Sequence, residues 1–207
     1  MITVHGRANS SNVQKVLWAL NELELHYDLI ERGGSFGGLD DPDFRALTPF
    51  GKVPVLVENG TPFVESNAIL RHLARRPDAR AFWPADSAEA ARADAMMDWT
   101  IATLWPAIRP PFIAVAREGM ARDSDSLGPQ VAKLAEPLAI LEGILAGSDW
   151  LAGDSFTFAD IPAAVAMTRL TWLVGKRAMP GGVSRWLDAC ADRPGWDGTV
   201  YVDEETG

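Results

Sequence analysis

Three short runs of this chain carry side chains able to do chemistry. The first is Asn9-Ser10-Ser11-Asn12, between an apolar opening, "MITVHG", and a helical pattern that starts at Val13. Hydroxyls and amides bunched at a strand-to-helix junction have two uses. They cap a helix by accepting hydrogen bonds from its first free amides. Alternatively, a hydroxyl there donates to an anion, and the helix start stabilises that anion and lowers the pKa of a nearby thiol. No cysteine stands in this run, so a thiol activated here must come from a ligand. The second run is Val53-Pro54, at the head of "VPVLV". It reads either as an ordinary edge proline, placed where no ladder hydrogen bond is needed, or as a cis bond that turns the Val53 amide and carbonyl outward to pair with an extended peptide. The third is Glu65-Ser66-Asn67, where a strand ends and a helix opens. It is a plain cap, or a site whose free amides and Ser66 hydroxyl take a carboxylate while Glu65 takes an ammonium. A carboxylate and an ammonium on one carbon make an α-amino acid end.

These runs need elements to hold them. Ile2 to His5 reads as a short buried strand. Val13, Val16, Leu17, Leu20 and Leu23 then mark one face of a helix. His26–Glu31 reads as a second strand, so a βαβ unit with a parallel pair is expected. The Gly- and Asp-rich stretch that follows is loop, with a short helix at "PDFRAL". Val53, Val55 and Val57 alternate, and Asn59-Gly60 is a strong hairpin signal, so 53–57 and 61–64 are expected to pair antiparallel. Ser66–Arg76 reads as a helix with Ile69, Leu70 and Leu73 inward. The expected fold is an α/β domain over 1–78 in the order βαβ then ββα, a linker over 79–86 within the stretch marked by Pro77 and Pro84, and an all-helical domain over 87–207. Within that second half, one helix runs from Asp86 to Trp105 and is bent or interrupted by Pro106, Pro110 and Pro111. Another covers Leu127–Leu145. "SFTFADIPAAVAMTRLTWLV" and "GVSRWLDACAD" supply two more, and the tail "VDEETG" is expected to fray.

Composition narrows the function. The chain has 207 residues, 47% hydrophobic and 23% charged, which suits two small domains or one medium one and supplies ample apolar material for a core. Its formal net charge of -9 speaks against a nucleic-acid partner and against a polybasic membrane surface. The charge is uneven. Residues 1–80 carry 9 Lys and Arg against 10 Asp and Glu, whereas 81–207 carry 10 against 18. The first part is the better host for an acidic ligand. The lone Cys190 allows no disulfide or thiolate metal site within the chain, and reads as a small buried hydrophobe. His5, His26 and His72 lack ligand spacing, so no metal is expected. No secretory leader and no apolar run of membrane length is seen, and the expected location is the cytoplasm.

Hydroxyl before the first helix, early proline in the third strand and Glu-Ser at a helix start occur in this order, and with them the chain resembles the cytosolic glutathione transferases over nearly its whole length. "GKVPVL" and "ESNAILRHLA" carry the resemblance, and "SFTFADIPAA" adds Thr157 and Asp160 at capping-box spacing, a structural feature of that family. The family implies a thioredoxin-like domain followed by an all-helical one. It implies that Ser10 donates to the glutathione thiolate, with Asn12 and Ser11 as further candidates because Asn12 stands where serine-type relatives carry proline. Val53 corresponds to the residue whose backbone pairs with the cysteinyl part of glutathione, and Glu65 and Ser66 to the pair holding its γ-glutamyl end. Lys52 corresponds to a residue near the glycyl carboxylate, and is equally readable as a solvated lysine. The chain has only Tyr27 and Tyr201, so the tyrosine-type classes do not fit. A hydrophobic electrophile is expected between the domains, against Trp105 and Arg109, which share a face only if Pro106 leaves the helix intact. The implied activity is transfer of glutathione to that electrophile, in detoxification or in a single pathway, by a homodimer. A glutathione-dependent disulfide or peroxide reductase and a non-catalytic module on the same fold are the alternatives.

Overall fold

A computed structural model describes residues 1–202; of the tail "VDEETG", residues 203–207 lie outside the described residues. Strands β1 (Ile2–His5), β2 (Tyr27–Ile30), β3 (Val55–Glu58) and β4 (Thr61–Val64) form one sheet in the order β2-β1-β3-β4. β1 and β2 run parallel, with Val4 opposite Leu29, because helix α1 (Ser11–Glu22) returns the chain to the same sheet end. β3 runs antiparallel to β1 and turns through Asn59-Gly60 into β4. Both hairpin residues sit at positive φ, 51° and 83°, as the tight turn requires. The third strand starts two residues later than expected. The Val53–Pro54 bond is cis, and Pro54 precedes the ladder instead of interrupting it.

The expected helix faces are the buried ones. Val13, Val16 and Leu20 of α1 are fully buried, as are Ile69, Leu70 and Leu73 of α3 (Ser66–Ala74). α2 (Pro42–Leu47) is the short helix of the loop. The Asn67 amide nitrogen donates to the Met97 carbonyl at 3.1 Å, and Arg71 pairs with Asp94 and Asp98. Together they dock α3 on α4 (Ser87–Trp99).

The helical half departs from expectation twice. The prolines after Trp105 do not end the helix. One π-helical turn, Thr100–Leu104, joins α4 to α5 (Trp105–Ala116). That wider turn resets the hydrogen-bond register, so Pro106 falls in the first turn of α5, where its missing N–H has little to bond. Pro110 and Pro111 lie inside α5, Pro111 buried and Pro110 exposed. Conversely, the expected helix over Leu127–Leu145 is two helices, α6 (Gly128–Ala132) and α7 (Ala135–Leu145). Pro137 cannot donate to the Lys133 carbonyl, and the chain turns before it.

α8 (Asp160–Val174) is the central helix, packed against α1, α4 and α5. Its start is held by the buried Asp160 carboxylate, which accepts from the Thr157 and Leu151 amides and the Trp186 indole, each at 2.9 Å. The capping box is realised with a shift, since the Thr157 hydroxyl accepts from the Ala159 amide at 3.3 Å. Trp186 and Cys190 of α9 (Gly181–Ala191) complete this core.

Candidate functional site

The site grows from two helix N-termini that face each other. α1 begins at Ser11, with Ser10 at its N-cap in extended backbone conformation. The Ser10 carbonyl accepts from the Gln14 amide at 2.9 Å, closing the first turn. Its hydroxyl makes no bond to the helix. The cap position is therefore filled by backbone, and the side chain is left for another partner. α3 begins beside it. Glu65 holds its N-cap at φ 66°, an uncommon conformation for a non-glycine residue, and its exposed side chain makes no bond to the helix either. Strain of this kind gathers where a side chain or backbone group must be aimed.

Asn12 joins the two. Its Oδ1 accepts from the Ser66 hydroxyl at 3.3 Å and from Lys15 Nζ at 2.9 Å. Ser66 is buried, whereas Glu65 and Asn12 are exposed. Asn12, Lys52, Val53, Glu65 and Ser66 line one cleft of about 150 Å³ on the sheet side. Among the described residues, no backbone group bonds the amide or carbonyl of Val53. Lys52 stands exposed at the rim. A second cleft, of about 180 Å³, opens between the two halves of the chain. Ser10, Ser11 and Asn12 form one wall; Trp105 and Arg109 stand on the other, one turn apart on the unbroken α5. The two clefts meet at Asn12.

Sequence reasoning missed two buried cations here. Lys15, one turn after Asn12, is almost fully buried. Burial, with nearby Arg169 adding to it against Glu65, lowers its pKa to about 8. Arg169 of α8 lines the interdomain cleft at 2% exposure. It donates to the Gln14 amide oxygen at 2.5 Å and to the Val165 carbonyl at 3.2 Å. Burial lowers its pKa to about 10. Gln14 in turn donates to the Tyr201 carbonyl at 3.0 Å, so α1, α8 and the C-terminal segment are tied at this cleft. A signal existed for both: Arg169 is the one charge inside the apolar run "IPAAVAMTRLTWLV", and Lys15 lies at i+3 from Asn12.

This arrangement can hold an extended small peptide on the sheet side and present a hydroxyl to a group placed at the junction of the clefts. Comparison with known proteins places the chain in a family. Residues 9–76 match the N-terminal domain of glutathione S-transferases and residues 93–194 match their C-terminal domain. The chain is 36% identical to glutathione S-transferase GstB of Escherichia coli over 198 residues, covering 94% of this chain and 95% of that protein. Against glutathione S-transferase 3 of Zea mays it is 31% identical over 210 residues, 96% of this chain and 93% of the other. Among solved structures, the theta class glutathione S-transferase of Xanthomonas axonopodis pv. citri with glutathione bound superposes with a TM-score of 0.84 at 34% identity, covering 98% of this chain and 99% of that one. The chain belongs to the glutathione S-transferase family and is a glutathione transferase, with a thioredoxin-like domain followed by an all-helical one.

Proposed function

We propose that glutathione lies along the sheet-side cleft with its sulfur at the Asn12 junction, and that Ser10 donates a hydrogen bond to its thiolate. The observation that carries this reading is the N-cap serine whose hydroxyl caps nothing and faces the interdomain cleft. The Val53 amide and carbonyl pair with the cysteinyl part of glutathione as an added strand would. Glu65 takes the γ-glutamyl ammonium, and the free amides of α3 take its carboxylate, joined by the Ser66 hydroxyl once it turns its one proton from Asn12 to the ligand. Lys52 sits toward the glycyl carboxylate. Asn12 holds Ser66 and Lys15 in place and is a second donor through its amide nitrogen.

In this mechanism the thiol loses its proton to solvent on binding. The α1 N-terminus and the Ser10 hydroxyl stabilise the resulting thiolate, as does the charge of Lys15 when protonated. The sulfur then attacks an electrophilic carbon of a second substrate held against Trp105 and Arg109. A carbon–sulfur bond forms, and the leaving group departs with its bonding pair. The protein supplies orientation and a lowered thiol pKa. A lower pKa also makes a weaker nucleophile, so the useful shift is bounded.

Residues 1–78 act here as the glutathione-binding domain, 79–86 as linker and 87–207 as the domain completing the second site. The working form is a cytoplasmic homodimer with a detoxifying role, which sedimentation and cell fractionation test. For the chemistry, ultraviolet absorbance of the thiolate is followed as the wild-type protein binds glutathione at a series of pH values. Thiolate at neutral pH is expected. Binding of the thiol form alone, or no binding, would refute the reading.

A further inference from the structure

Among the described residues the interdomain cleft is chemically one-sided. Arg109, Arg117 and Arg169 line it, and none of the described residues lining it is Asp or Glu. That runs against the composition of the chain, whose residues 81–207 hold only 10 Lys and Arg against 18 Asp and Glu. Three of those 10 cations converge on one small cleft. Arg169 is buried there, and its hydrogen-bond partners among the described residues are the neutral Gln14 side chain and the Val165 carbonyl. Arg109 and Arg117 stand two turns apart along the end of α5, both exposed, and neither forms an ion pair with a carboxylate of the described residues. Like charges gathered at one concave site repel one another and raise the local potential. An anion entering the cleft relieves that repulsion.

The α5 wall adds apolar surface. Trp105 and Phe112 lie with ring centroids 6.5 Å apart and planes tilted by 50°, and Ile113 continues the same wall. We infer that the second substrate of this transferase carries a carboxylate on an apolar body: the body lies against Trp105 and Phe112, and the carboxylate is held by Arg109 and Arg117, with Arg169 as the buried cation behind them. The inference rests on the glutathione-binding reading, because that reading places the attacking sulfur at Ser10, on the opposite wall of the same cleft. The carboxylate takes no part in bond making. It fixes the electrophile so that its reacting carbon faces the sulfur, and it makes the cleft discriminate against neutral analogues.

A matched pair of probes tests this. One is the glutathione conjugate of 4-chloro-3,5-dinitrobenzoate; the other is the same conjugate made from the methyl ester. Titration calorimetry gives both affinities for the full-length protein. The acid conjugate is expected to bind about tenfold or more tightly than the ester, as a charge-assisted contact supplies. The ratio should fall with added sodium chloride and collapse toward one in Arg117→Gln combined with Arg109→Gln. Equal binding of the two conjugates by the wild type, or a ratio unchanged in the double variant, overturns the inference and leaves the transferase reading standing. Failure of wild type to bind either conjugate or glutathione overturns both. Kinetics with the two parent aryl chlorides, each divided by its uncatalysed rate with glutathione, should show the same preference in kcat/KM.

Discussion

Replacing Ser10 with alanine separates capping from chemistry, because the structure assigns the two jobs to different atoms. A serine whose hydroxyl caps a helix is worth about 1 kcal/mol relative to alanine. Ser10 occupies the N-cap of α1, but only its carbonyl serves the helix, accepting from the Gln14 amide at 2.9 Å. Alanine keeps that carbonyl. The stability cost should therefore stay within about 0.5 kcal/mol, a fall of roughly 2 °C or less in Tm for a protein of this size. The glutathione thiolate would lose a charge-assisted hydrogen bond of about 1.5–3 kcal/mol. Such a bond favours the charged form, so its loss raises the pKa of the bound thiol by about 1–2 units. Two measurements on one variant decide the matter: a thermal melt, and the thiolate absorbance of bound glutathione from about pH 5 to 10. A bound-thiol pKa that moves by less than about 0.3 units, near 0.4 kcal/mol, would show that the hydroxyl is not the donor. The role would then pass to Asn12, Ser11 or the helix amides. A large loss of Tm with the same thiol pKa would mean that Ser10 is a structural cap after all.

Three further predictions concern the framework of the site. Lys15 has its pKa lowered to about 8 by burial, so between about pH 8 and its ordinary 10.5 the unfolded chain binds more protons than the folded one. Stability contributed through this group therefore rises with pH across that window, by about 3 kcal/mol in all; denaturant melts of wild type minus Lys15→Met should show the rise, and parallel profiles would refute it. Glu65→Gln should weaken glutathione binding about tenfold by calorimetry while leaving Tm nearly unchanged, since the side chain is exposed and makes no bond to α3. Asp160→Ala orphans the buried donors of Leu151, Thr157 and Trp186, a loss of about 3–5 kcal/mol, and should lower Tm by roughly 10 °C or more; a fall of only a degree or two would show that the α8 start is held by packing alone.

Much of this protein was legible in its sequence because the relevant signals are local. The face of α1 shows in the spacing of Val13, Val16, Leu17 and Leu20, and that of α3 in Ile69, Leu70 and Leu73, since a helix buries residues at a period near 3.6. Asn59-Gly60 marks its hairpin because few residues tolerate positive φ. Ser10, Glu65 and Ser66 stand out the same way, as polar groups at helix starts, whereas Lys52, Trp105 and Arg109 became candidates only through the family resemblance. Local rules failed where continuity depends on hydrogen-bond register. Pro106 reads as a breaker until a π turn moves it into a first turn, and Pro137 splits a stretch whose apolar pattern looks continuous.

What only the tertiary structure decided is who meets whom. Asn12 and Ser66 lie 54 positions apart, yet they touch where the packing of α1 on α3 brings the two helix starts together. Arg169 reaches Gln14 across 155 positions, and so reaches the cleft of Ser10 from the far side. Periodicity reports that a helix has a buried face; it carries no record of the element that face is buried against. A charge embedded in an apolar run, such as Arg169 in α8, announces that a partner or a ligand is needed, but the packing of α8 on α1 chooses the place where that need is met.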